Sequence, residues 1–247
     1  MMTSLNQEEY KKAITILESH LLKQGLNESS VGLCLDAVKL ATTWYVKPSS
    51  LEELKQGQAF VAYSFGIGKR KDGQKEIQDP SKVQYNSGTY FPGKTNEDLA
   101  KVIAELQEKG LERPIFAQWE VATALIENHK INLPEKNIAK PREGYLSSLG
   151  VIKQFLEAGL EDYDRIILVA HPIHVRRAKA TTEIEIEKQR GKALEKILIP
   201  DISKVRFDLE SIQPWTRDES SNIRWDIGSR IRQVFYLQTL RANHITE

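Results

Sequence analysis

Apolar residues recur at two different spacings along this chain, and the change of spacing divides it. In the first part Tyr10, Ile14, Leu17 and Leu21 lie three or four apart, as do Val31, Leu35, Val38 and Ala41, with Gly25 marking a stop between the two runs. This pattern predicts an α-helical amino-terminal segment over residues 1–56. Lys47-Pro48-Ser49-Ser50 is turn chemistry, and Ser50 is placed to cap the short LEELKQG helix. From residue 59 onward, short apolar runs alternate with longer amphipathic ones. AFVAYSF at 59–65 is followed by a helical pattern at 96–110, PIFAQ at 114–118, and helical patterns at 119–129 and 146–158. The strongest strand signal, Ile166-Ile167-Leu168-Val169-Ala170, comes next. A charged helical stretch covers 173–196, VRFDL at 205–209 reads as a short strand, and an amphipathic helix closes the chain at 223–240.

Continuously apolar strands alternating with helices belong in a parallel sheet covered on both faces. The expected fold is therefore α/β, a Rossmann-like, mainly parallel sheet over 57–247, preceded by the helical segment. No internal repeat or low-complexity tract interrupts it.

Composition narrows the partners. With 247 residues and 40% hydrophobic content the chain can bury a substantial core. Thirty-five basic residues against 34 acidic ones leave a formal charge of +1, so no global field gathers nucleic acid onto the surface. The single cysteine, Cys34, cannot form an internal disulfide, and in VGLCLDAVKLA it reads as a small core residue. No window approaches the roughly 18 apolar residues of a membrane span, and MMTSLNQEEYKK lacks a signal-peptide core. The expectation is a cytoplasmic protein with no membrane span.

The most specific chemistry lies in RIILVAHPIHVRRAKA. If Pro172 starts the helix, His174 falls in its first turn, with Arg177 and Ala178 three and four residues later on the same face. That face overlooks the carboxyl edge of the sheet, where open parallel sheets place ligands and where a helix amino terminus favours anions. Arg177 can grip two oxygens of a phosphate or carboxylate in fork geometry, and His174 can donate or accept a proton near neutral pH. The plainer alternative makes His174 a helix-start histidine and Arg176 and Arg177 solvated charges.

The run Val169-Ala170-His171-Pro172-Ile173-His174-Val175-Arg176-Arg177-Ala178 resembles the signature of the SanA/YdcF/ElyC family, a small polar turn followed by His and then Arg-Ala. Ala170 and His171 stand where that family has Thr and Ser. The resemblance extends over roughly 58–240. AFVAYSFGIG is similar to the family's first strand and glycine turn. PIFAQWEVATAL is similar to its second strand and acidic helix, with Ala117-Gln118-Trp119 in place of Ser-Gly-Gly and Glu120 as the acidic residue. In YLSSLGVIKQFL, Ser147 takes the family's threonine position and Gly150 its asparagine position, and FDLESIQPWTR carries Trp215 and Arg217 before the last helix. The resemblance implies a Rossmann-like domain, envelope or cell-wall roles for some members, and S-adenosylmethionine or a nucleotide as ligand. It makes Glu120 a second catalytic candidate beside His174, and Ser147 and His171 ligand-binding candidates.

Gly88-Thr89-Tyr90-Phe91-Pro92-Gly93-Lys94-Thr95 fits the phosphate-loop expression G-x-x-x-x-G-K-[ST] and precedes a helix. Its context argues otherwise: DPSKVQYNS is a poor buried strand, Pro92 lacks an N–H, and the strongest strand ends in His171 rather than Asp. Thr95 then reads as an ordinary N-cap, with Asp98 completing a box-like pattern. A third reading keeps the connection from Gly66 to Thr95 at the same sheet edge, so that Gly66, Gly68, Lys94 and Thr95 serve the ligand of His174 and Arg177. Gly66, Lys94, Glu120, Ser147, His174 and Arg177 are expected to meet around one cleft.

His171 and His174 lack a third metal ligand in sequence, so no metal site is expected. Glu183, Glu185 and Glu187 read as a solvated helix face, and Trp215, Trp225, Phe235 and Tyr236 as packing of the last helix. No Ser-His-Asp order or G-x-S-x-G elbow is present. Four functions follow: an enzyme acting on a phosphorylated or nucleotide-like small molecule, a non-catalytic nucleotide or S-adenosylmethionine sensor, a P-loop-like NTP-binding protein, and an interaction protein working through its amino-terminal helices.

Overall fold

A computed structural model describes residues 7–32, 34–35, 46–73, 87–142, 146–172 and 174–206. The chain divides into two compact units, Met1–Trp44 with Arg224–Glu247, and Tyr45–Ile223.

In the first unit, α1 spans Gln7–Lys23. Gly25, at φ 83°, supplies the left-handed turn that ends it, and the Leu26 N–H closes back on the Leu21 carbonyl at 3.3 Å. The chain re-enters helix after Asn27, whose Oδ1 accepts the Ser30 N–H at 2.9 Å. Val31 and Leu35 are buried, while Cys34 is only half-buried.

The second unit opens with α2, Leu51–Leu54, fixed by a capping box in which Ser50 Oγ accepts the Glu53 N–H and the Glu53 carboxylate accepts the Ser50 N–H. Residues 45–56, read from sequence as part of the helical amino-terminal segment, belong to this unit instead. The Ser49 N–H donates to the Ile199 carbonyl at 2.7 Å and Lys196 Nζ pairs with Glu53 at 3.0 Å, so this stretch is tied to the end of the last strand.

The sheet strands are β1 (Ala59–Ala62), β2 (Ile115–Gln118), β3 (Ile138–Ala139), β4 (Arg165–Val169) and β5 (Lys196–Leu198). They lie in the order β3-β2-β1-β4-β5, and every pairing is parallel. The connecting helices are α3 (Lys94–Glu108), α4 (Trp119–His129), α5 (Ser148–Glu157) and α6 (Val175–Arg190). The chain steps outward from β1 to β3, then crosses back to β4 and β5. Because such crossovers are right-handed, the reversal places α3 and α4 on one face and α5 and α6 on the other; α3 packs on α4, and α5 on α6. All four residues of β1 are fully buried, which is why they carry no alternating polar positions.

The expected α/β architecture is thus the one found, with displaced boundaries. The first strand stops at Ala62 rather than 65, and the helix expected at 96–110 starts at Lys94, because Gly93 at φ 86° takes the N-cap. The charged helix stops at Arg190, where Gly191 turns left-handed at φ 64° and frees residues 196–198 to become β5. β3, only two residues long, has no readable period. Val205 and Arg206 are not in a strand, and the rest of VRFDL and the helix expected at 223–240 lie outside the described residues. Among the described residues no helix is long and apolar enough to cross a membrane.

Candidate functional site

The direction of winding reverses between β1 and β4, and the carboxyl ends of those two strands flank the crevice where open α/β sheets bind ligands. Beyond β1 the chain continues as Tyr63-Ser64-Phe65-Gly66, still tied to β4 by the Tyr63 N–H on the Val169 carbonyl at 3.0 Å. Beyond β4 it continues as Ala170-His171-Pro172, and a tight turn closes on the His171 carbonyl, which accepts the N–H groups of His174 at 2.7 Å and Val175 at 2.8 Å. Helix α6 therefore starts at Val175 rather than at Pro172, and His174 is its N-cap residue.

Aromatic rings join the two strand ends. Phe65 stacks on His171, with centroids 4.6 Å apart, and lies 6.0 Å from His174; Tyr63 meets His174 edge-on at 5.8 Å. The Tyr63 hydroxyl bonds to Thr182 Oγ1 at 2.8 Å, and Thr182 in turn donates to the Ala178 carbonyl. Burial pushes the Tyr63 phenol above its ordinary range, so it stays protonated.

On this wall His174 and Arg177 converge on one oxygen. His174 Nε2 lies 3.3 Å from Ser148 Oγ, and Arg177 Nη1 donates to the same oxygen at 2.7 Å. His174 is buried, and Arg177 is half-buried rather than a freely solvated charge. Ser147, the expected ligand-binding serine, is exposed and caps α5 by accepting the Gly150 N–H at 3.1 Å. The serine facing the histidine and arginine is its neighbour.

On the other side of β1 lies a second polar group. Gln118 Oε1 accepts the Ser64 N–H at 3.2 Å, and Gln118 Nε2 makes a long contact of 3.5 Å to Glu120 Oε1. Glu120 is 6% exposed, and its Oε2 has no hydrogen-bond partner among the described residues. Burial raises its pKa to about 8, against the lowering effect of its own N–H, the Ser64 hydroxyl and the Gln118 amide. A carboxyl held neutral near pH 7 is a proton donor.

Gly66 and Gly68 are buried at the start of the connecting loop. Gly68 packs where a Cβ would stand 2.7 Å from both Gly93 N and Phe91 O, because residues 68–71 run antiparallel to 89–91. Asn96, wholly buried, fastens this arm to β1: its Oδ1 accepts the Phe65 N–H at 2.9 Å, and its amide donates to the carbonyls of Gly66 at 3.0 Å and Pro92 at 2.6 Å. The Phe91 N–H donates to Lys69, so that group of the phosphate-loop look-alike is engaged inside the arm. Exposed Lys94 pairs with Glu97 at 2.9 Å. The Thr95 hydroxyl donates to the Arg206 carbonyl at 2.9 Å, and Asp98 pairs with the Arg206 guanidinium at 2.7 Å, so neither completes an N-cap box.

The fold thus gathers Phe65, His171, His174, Arg177 and Ser148 by direct contact, and holds Gln118 and Glu120 through Ser64. It turns the side chains of Ser147, Lys94 and Thr95 to other tasks. Sequence reading missed Ser148, Asn96 and Gln118; the Ser147-Ser148 pair before an apolar run was the one legible hint. Among the described residues no three His, Cys, Asp or Glu side chains group closely enough to hold a metal ion. Comparison with protein-family models, curated proteins and solved structures gives no match.

Proposed function

We propose that this chain is an enzyme that binds a small anionic, nucleotide-like molecule in the crevice between β1 and β4 and acts on a phosphorylated substrate there. The observation that carries this reading is the convergence of Arg177 Nη1 and His174 Nε2 on a single oxygen at the switch point. A ligand oxyanion that approaches this pair beside Ser148 Oγ takes a charge-assisted bond from the guanidinium and comes within proton-transfer reach of the imidazole. Phe65 and Tyr63 supply an apolar wall beside it, and Glu120 a neutral acid across β1. The resemblance of residues 169–178 to the SanA/YdcF/ElyC signature supports the same two residues.

The test is a thermal-shift panel of phosphomonoesters, nucleotides and S-adenosylmethionine. A ligand at 100 times its Kd should stabilise the fold by about 2.7 kcal/mol. Arg177→Lys, which keeps the charge and loses the fork, should weaken that ligand, whereas His174→Gln should spare binding and reduce turnover. A panel without any shift, or a ligand held equally by parent and both variants, rejects the site. Binding that depends on Arg177 without turnover by the parent makes the chain a sensor.

A further inference from the structure

We propose that Ser148 is a nucleophile, with His174 as its general base and Arg177 as the cation that steadies the developing alkoxide. The inference deepens the reading above and rests on it for the class of substrate, a phosphate ester.

A hydroxyl has one proton and two lone pairs, and a guanidinium can only donate. Arg177 Nη1 at 2.7 Å therefore occupies a lone pair of Ser148 Oγ, which leaves the hydroxyl proton for the imidazole nitrogen 3.3 Å away. Serine is inert at its ordinary pKa and becomes nucleophilic when an adjacent base takes that proton, the base itself being held in place by a third group. Here the imidazole is held by rings, edge-on against Tyr63 and tilted against Phe65. The Tyr63 ring is in turn fixed through Thr182. Burial differs in the useful sense: His174 is 3% exposed, whereas Ser148, in the first turn of α5, is half-buried and reachable.

Ser148 Oγ forms a bond to phosphorus while its proton passes to His174 Nε2, and the bond from phosphorus to the ester oxygen breaks. The departing oxygen keeps the electron pair and takes the proton back from His174. Water, deprotonated by His174, then attacks the phosphoserine; the bond between phosphorus and Oγ breaks, Ser148 recovers its proton, and phosphate leaves.

Two probes read this on the intact chain by mass spectrometry. A fluorophosphonate should add to Ser148 with loss of fluoride, and p-nitrophenyl phosphate quenched in acid should leave a phosphoryl group on the same residue. His174→Gln should slow labelling about 10²- to 10⁴-fold at unchanged melting temperature, and Ser148→Ala should abolish it. Should Ser148→Ala fail to fold, Ser148→Thr keeps both hydrogen bonds and should label more slowly than the parent. A folded parent that leaves Ser148 unmodified by the fluorophosphonate, or labelling unaffected by His174→Gln, overturns the proposal. Fluorophosphonate labelling against which inorganic phosphate gives no protection keeps the nucleophile and removes the anion site instead.

Discussion

The imidazole of His171 lies flat on the ring of Phe65, the two planes 17° from parallel, and this stack links the chain beyond β1 to the chain beyond β4. Phe65 is 8% exposed, so its removal opens a cavity beneath both histidines. Phe65→Ala should lower stability by about 3–5 kcal/mol, while Phe65→Leu, which keeps apolar bulk and loses the flat face, should cost less. Urea midpoints of the two variants against the parent measure the difference.

Glu120 gives the fold a pH dependence opposite to the familiar one for carboxylates. Its pKa rises on folding from 4.5 to about 8, so between those values the native state holds more protons than the unfolded chain. The stability associated with the neutral carboxyl is complete below 4.5 and is lost as pH climbs through 8, by at most about 1.4 kcal/mol per pH unit. Glu120→Gln should flatten that profile and raise the melting temperature above pH 8. Melting curves of parent and Glu120→Gln from pH 5 to pH 9 decide it; a difference between the two that does not change with pH over this range would mean that Glu120 is ionised in the fold.

Asn96 satisfies three backbone groups at once, the Phe65 N–H and the Gly66 and Pro92 carbonyls. Asn96→Ala strands all three in a dry interior, at about 1–3 kcal/mol for each group that water cannot reach. Asn96→Asp should be no milder, since it keeps the acceptor but sets an oxygen against two carbonyls. Amide exchange at Phe65 should quicken in both, more than at Val61 within the sheet.

What the sequence disclosed followed the physics of each segment. β4 and α5 were legible because an uninterrupted apolar run and apolar residues at helical spacing (Val151, Ile152, Phe155, Leu156) are local properties, and the His174–Arg177 spacing follows from the helix itself. β5 was hidden because a charged helix and a strand of three residues share one polar stretch, parted only by Gly191. Ser148 was hidden for a subtler reason. Two adjacent serines begin α5, and which of them caps the helix and which faces inward depends on a single residue of phase. Asn96 was unreadable because two of its three partners, at Phe65 and Gly66, lie about 30 residues away and become neighbours only in the folded chain.

The central position of β1 also orders events in time. Its partner on one side, β4, lies 107 residues further along, and the Ser49–Ile199 tie spans 150. At roughly 5–20 residues per second, a ribosome needs on the order of 5–20 s to deliver β4 after β1 has been made. Until then a strand that is wholly buried in the finished fold has an open edge, and the crevice has only one wall. Folding of the sheet is thus a late, non-local event, and the interval before it is when Ala59–Ala62 is exposed to chaperones and to other unfinished chains.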